Sequence, residues 1–222
     1  MMTSTLRSRL QPLPLVAVLR GISPGEIDDV GGALFDAGFR ILEVPLNSPR
    51  PFESIARLAS RFGDRCLTGA GTVRDSADVA RVRDAGGTLV VMPHADLAVV
   101  REAKRLSMIC LPGVATPTEA FAALDAGADG LKMFPAEALP PAVLKAWRAV
   151  LPADALVFPV GGIKPDNMAG YWAAGASGFG TGSNLYRPGA STTEVRDAAL
   201  AYAAAFRALP PRAELAIRTT TT

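Results

Sequence analysis

Short apolar runs alternate with longer amphipathic stretches along nearly the whole chain. The runs are PLVAVL (14–19), RILEVP (40–45), RCLTGA (65–70), TLVVMP (88–93), MICLPG (108–113), GLKMFP (130–135), LVFPV (156–160) and SGFGTG (177–182). Most are dense in Val, Ile, Leu or Phe, as strands buried on both faces are. The eighth is rich in glycine, and only its place in the series marks it as a strand.

Helix patterns fill the intervals. They open with turn or cap chemistry: SPGE at 23, SPRP at 48, DSAD at 75, TPTE at 116 and KPDN at 164. Proline in the first helical turn loses no hydrogen bond, and TPTE has the spacing of a capping box. The helices close on DAGF (36–39), DAGG (84–87), DAGA (125–128) and AAGA (173–176), where glycine supplies a left-handed cap. These glycines recur at intervals of two strand–helix units, if a unit is roughly 20–25 residues.

Eight strands, each followed by a helix, predict a parallel α/β sheet closed into a single (β/α)8 TIM barrel over residues 13–208. Residues 1–12 and 209–222 read as partly disordered terminal extensions, with RAELAIRTTTT frayed. An open doubly wound sheet would call for GxGxxG after the first strand, and LRGISPGE does not supply it.

Composition narrows the function classes. The chain has 222 residues, 49% apolar and 20% charged, with a net charge of +2. That is material for a large core, and with no basic run it argues against a nucleic-acid partner. The two cysteines, Cys66 and Cys110, sit inside apolar runs and read as buried free thiols. A single histidine, His94, argues against a histidine-built metal centre, and no cofactor is expected. No stretch has the length of a membrane span or the make-up of a secretion signal, so a cytoplasmic location is expected.

In a barrel of this kind chemistry sits at the C-terminal ends of the strands. The polar residues there include Arg20, Glu43, Asn47, Ser48, Thr72, His94 and Lys132. Lys132 and Glu43 stand out because each interrupts an apolar strand. One reading is an ion pair inside the barrel, which is costly to bury. The other is a lysine freed by desolvation to attack a carbonyl, with a carboxylate to move protons. Glycine-rich ends follow the seventh and eighth strands, VGGI and TGSN, where barrels often hold a phosphate on backbone N–H groups. Together these features suggest a phosphorylated carbonyl substrate.

At this point the chain resembles a known family, the pyruvate-dependent class I aldolases acting on 2-keto-3-deoxy-6-phospho sugar acids. The matching pieces run in order: LRGI, ILEVPLNSP, GAGTV, PGVATPTEA, LKMFPAE, FPVGGI and TGSNLYRPG. The resemblance implies a (β/α)8 barrel, usually a homotrimer, that uses no metal. It implies Lys132 as the Schiff-base lysine and Glu43 as the general acid/base. Arg20 falls near the substrate's charged end and Thr72 near the pyruvyl carboxylate. Gly161, Gly162, Gly182 and Ser183 match the phosphate cradle.

Two branches of the family differ after the second and seventh strands. The 6-phosphogluconate type shows EVTLRT and PTGGI, and the 6-phosphogalactonate type shows EIPLNSP and VGG. EVPLNSP and PVGGI here resemble the second, with Asn47 in place of an arginine and Val160 in place of a threonine, whereas Pro159 looks like the first. Valine cannot hydrogen-bond a C4 hydroxyl, which bears on the choice between C4 epimers. His94 matches neither branch. A phosphosugar isomerase with Glu43 as base, or a phosphosugar-binding barrel without catalysis, would use the same loops.

Overall fold

The computed structural model describes residues 6–211. Strands and helices alternate along the chain: β1 (Leu15–Val18), α2 (Ile27–Asp36), β2 (Ile41–Pro45), α3 (Pro51–Phe62), β3 (Leu67–Gly71), α4 (Ser76–Asp84), β4 (Leu89–Val91), α5 (Leu97–Arg105) and β5 (Ile109–Leu111). They continue as β6 (Gly113–Val114), α6 (Pro117–Asp125), β7 (Leu131–Met133), α7 (Pro141–Arg148), β8 (Val157–Pro159), α8 (Met168–Ala173), β9 (Phe179–Thr181) and α9 (Thr192–Arg207), after a short α1 (Leu6–Arg9). Every ladder is parallel. Each predicted apolar run overlaps a strand.

The strands do not form the one closed eight-stranded ladder that the sequence suggested. They form a six-stranded sheet, β5-β4-β3-β2-β1-β9, and a three-stranded sheet, β6-β7-β8. The fifth run is split at Pro112, which has no N–H to give a ladder. Its first half pairs with β4 and its second half with β7. On the other side the two sheets touch through a single parallel bridge, Val160 to Gly180. Below that bridge Ser177 does the pairing: its N–H donates to the Val157 carbonyl at 2.7 Å, and its hydroxyl accepts from the Val157 N–H at 3.1 Å.

Successive residues of a strand face opposite sides, and the apolar ones sort into two clusters accordingly. Leu15, Ala17, Leu42, Val44, Val90, Cys110, Leu131, Met133 and Phe179 pack against the helices. Val16, Ile41, Leu67, Leu89, Val91, Ile109, Leu111 and Phe158 form a separate inner cluster. Lys132 lies between Leu131 and Met133, so alternation turns it to the inner side.

The inner cluster includes Leu6 and Leu10. The segment from residue 6 is therefore part of the packed molecule, within the stretch 1–12 expected to be a partly disordered extension. The rest of that expectation, residues 1–5 and the tail RAELAIRTTTT, lies outside the described residues.

The four glycine caps all have positive φ, from 83° at Gly86 to 108° at Gly175. The capping box at TPTE is formed, with Thr116 and Glu119 bonded reciprocally, and Asp75 caps α4. Ser23 and Ser48 are not caps, since α2 and α3 start later, at Ile27 and Pro51. Among the described residues no helix is long and apolar enough to cross a membrane.

Candidate active site

Lys132 and Glu43 come together. They reach in from β7 and β2, 4% and 1% exposed, with Nζ 4.0 Å from Oε1. That is an ion-pair distance but too long for a hydrogen bond. Neither carboxylate oxygen of Glu43 has a hydrogen-bond partner. A buried polar group left unpaired costs about 1–3 kcal/mol, and more when charged, so this is an expensive arrangement to keep for structure alone.

The electrostatics follow from burial. Desolvation pushes the Glu43 carboxyl above its ordinary range, against the opposing charges of Lys132 and Arg20. Desolvation likewise pulls the Lys132 ammonium below its ordinary range; Glu43 opposes this and Arg20 adds to it. Both groups are thus moved toward their neutral forms, an amine with a free lone pair beside a carboxyl able to exchange a proton. Nζ also lies 4.9 Å from the centre of the Phe134 ring, which favours the cation when it forms.

Space for the carboxylate comes from β3. A Cβ on Gly71 would fall 1.2 Å from Glu43 Oε2. The sequence reading missed this role for Gly71. The signal was a glycine at the end of a strand, which often marks close approach of another group.

Arg20, Asn47 and Thr72 form a second cluster at the strand ends. Arg20 Nη1 donates to Asn47 Oδ1 at 2.9 Å, and Nη2 donates to Thr72 Oγ1 at 3.3 Å. Thr72 sits at φ +54°, a left-handed position uncommon for a side chain branched at Cβ. The guanidinium and Asn47 are exposed, and Arg20 is near enough to bear on both buried groups.

The glycine-rich ends of β8 and β9 also adjoin. Asn184 Nδ2 donates to the Ile163 carbonyl at 3.5 Å, tying the loop after β9 to the loop after β8. Gly161 and Gly162 have φ of 103° and 63°. A Cβ on either would strike the Glu137 side chain, which lies across the pair. The Gly182 carbonyl accepts from the N–H groups of Leu185 and Tyr186, leaving Ser183 exposed on the turn. Val160 precedes the glycine pair and is buried, its methyl groups lying where a side chain on Gly180 would be.

His94 is exposed in the loop after β4, and what packs against Gly113 is its backbone. A cavity of about 300 Å³ opens at the opposite end of the strands, lined by residues including Arg148 and Gly175. Arg148 there donates to the carbonyls of Gly175 and Ala155 and to the Ser177 hydroxyl. It braces the fold and offers no chemistry comparable to the Lys132–Glu43 pair.

A buried amine beside a buried, unpaired carboxyl on a parallel α/β scaffold is the equipment of imine-forming lyases. The chain belongs to one family of them: the model for KDPG and KHG aldolases matches residues 6–198. It is 50% identical over 196 residues to a Rhizobium meliloti protein named a probable 2-dehydro-3-deoxy-6-phosphogalactonate aldolase, covering 88% of this chain and 92% of that one. It is 46% identical to the Escherichia coli 2-dehydro-3-deoxy-6-phosphogalactonate aldolase, over 88% of this chain and 95% of that one. A solved structure, a cube-shaped cage designed by fusing symmetric oligomeric domains, superposes with a TM-score of 0.87 at 46% identity. It covers 88% of this chain and 73% of that one.

Proposed function

We propose that this aldolase cleaves 2-dehydro-3-deoxy-6-phosphogalactonate to pyruvate and D-glyceraldehyde 3-phosphate. The observation that carries the reading is the buried Lys132–Glu43 pair, 4.0 Å apart, with both carboxylate oxygens unpaired. Lys132 Nζ attacks the C2 carbonyl, Glu43 gives its proton to the departing C2 hydroxyl, and loss of water leaves a protonated imine beside a Glu43 carboxylate. Through a water molecule, Glu43 takes the C4 hydroxyl proton. The C3–C4 bond breaks, its electron pair flows into the imine, and glyceraldehyde 3-phosphate leaves. Glu43 returns the proton to C3 of the enamine, and hydrolysis of the imine frees pyruvate and Lys132. The imine is the electron sink, so the route calls for no metal.

Arg20 and Thr72 hold the substrate carboxylate. The backbone at Gly161, Gly162 and Gly182, with the Ser183 hydroxyl, takes the phosphate. Val160 and Asn47 set the preference at C4. The working unit is read as one (β/α)8-type barrel over residues 13–208, a reading supported by the Val160–Gly180 bridge and by the run of β5 into β6 across Pro112 at the two seams between the sheets. It assembles as a homotrimer, in line with the oligomeric domains of the designed cage. A phosphate ester does not cross membranes, which suits a cytoplasmic enzyme.

The test is pyruvate release from purified protein with a chelator present, supplying each C4-epimeric 2-keto-3-deoxy-6-phospho acid separately. Release from the galactonate epimer alone supports the full reading. Release from both keeps the imine chemistry and removes the role given to Val160 and Asn47. Release from neither sinks the proposal and leaves an isomerase with Glu43 as base.

A further inference from the structure

One carboxylate fastens the loop after β9 to the loop after β1. Glu26 Oε2 accepts from the Ser23 backbone N–H at 3.1 Å and from the Ser23 hydroxyl at 2.5 Å. Its Oε1 accepts from the Tyr186 hydroxyl at 3.2 Å, and the Gly189 backbone N–H also bonds to the carboxylate. Tyr186 is only 2% exposed, so its hydroxyl is aimed at Glu26 by its packing. These four donors come from both loops. The SPGE stretch read from sequence as a helix start thus holds a connection that helix capping does not explain.

The same two loops meet again nearby. Gly21 has φ +82°, and a Cβ there would lie 2.6 Å from Pro188 Cγ, so the proline ring rests directly on the backbone next to Arg20. The Gly21 N–H donates to Ser48 Oγ at 2.9 Å, and Arg20 reaches Asn47 and Thr72. Two sets of contacts therefore join the loops: from the Gly182 carbonyl to Tyr186 and on to Glu26 and Ser23, and from Pro188 to Gly21, which adjoins Arg20. Glu26 is the charged joint of the first set, and its partners Ser23, Tyr186 and Gly189 are none of the residues proposed to bind or react.

We infer that Glu26 is a positioning residue: it holds the Gly182–Ser183 loop at a set distance from Arg20 and thereby sets the preference for phosphorylated over unphosphorylated sugar acids. The inference rests on the phosphate site proposed above. A substrate anchored at both ends, carboxylate and phosphate, feels the spacing between the anchors. A substrate anchored only by its carboxylate does not.

The experiment compares kcat and KM for 2-dehydro-3-deoxy-6-phosphogalactonate and for its unphosphorylated counterpart. It uses wild type, Glu26→Gln and Tyr186→Phe, with melting temperatures and borohydride trapping of the pyruvate imine measured in parallel. Glu26→Gln should raise KM for the phosphorylated substrate about 10-fold, the scale of losing one charge-assisted hydrogen bond. It should leave kcat, the unphosphorylated substrate's KM and imine trapping within about 2-fold. Tyr186→Phe should move KM the same way by less, and it decides the matter if Glu26→Gln does not fold. A brace with no bearing on substrate would lower the melting temperature and leave the ratio of the two KM values unchanged in both variants, which overturns the inference alone. A wild-type enzyme indifferent to the phosphate would overturn the phosphate site and the inference with it.

Discussion

At the scale of single residues, the proposed chemistry concentrates in two side chains that a stable core would not choose. Lys132→Ala should abolish borohydride-trappable imine with pyruvate, read by the mass of the protein after reduction; an adduct persisting at wild-type yield would remove the lysine from its role. Glu43→Gln keeps the volume and loses the proton, so kcat should fall about 10²–10⁴-fold while the imine still forms with pyruvate, as stopped assays would show. Val160→Thr supplies a hydroxyl where the proposed C4 contact is apolar. It should shift the ratio of kcat/KM for the two C4 epimers toward the gluconate form by roughly 10-fold. Lys132 and Glu43 could be found from sequence because a charge in a strand buried on both faces is rare, and rarity points to use. The unpaired state of the carboxylate could not, since it depends on what every other strand places around it.

At the scale of elements, alternation along each strand decides which residues meet. Leu131 and Met133 go outward to the helices, so Lys132 goes inward, and its distance to Glu43 follows from the separate strands that carry them. The bare backbone of Gly71 is what admits the carboxylate. Gly71→Ala should therefore displace Glu43 and lower kcat toward the level of Glu43→Gln, while circular dichroism stays that of the wild type. Unchanged kcat would show that the carboxylate has another place to go. The strand series, the four glycine caps and the capping box at Thr116 were legible because each is a local rule of backbone and side chain. Ser23 and Ser48 misled because a serine that can cap a helix can also serve a loop: Ser23 bonds Glu26 within its own loop, and Ser48 bonds Gly21 across two loops.

At the scale of the molecule, the site is held against the stability of the fold. Replacing both Lys132 and Glu43 by apolar residues of similar size should raise stability by roughly 1–4 kcal/mol, as for other buried ion pairs, and abolish activity. The sign with pH follows from Glu43. Its folded pKa is raised, so relative to its charged form it favours folding below its unfolded value of about 4.3, and that contribution is lost as pH rises through the folded value. The stability gap between Glu43→Gln, which keeps Lys132, and the wild type should thus be widest near neutrality and narrow toward pH 4, read by denaturant melts across that range. A gap that widens on acidification would mean that the carboxyl is charged and well held, contrary to its unpaired oxygens.

By itself the sequence determined the order of strands and helices, the parallel sense of the sheet and the two side chains worth asking about, because periodicity, caps and a misplaced charge are written locally. Only the tertiary structure decided the rest: that Pro112 divides a strand between two sheets, that residues from 6 onward seal the inner core, that Gly71 makes room for Glu43, and that Glu26 ties two distant loops. Each of these depends on residues far apart in the chain meeting within a few ångströms, and close packing, not local pattern, sets those distances.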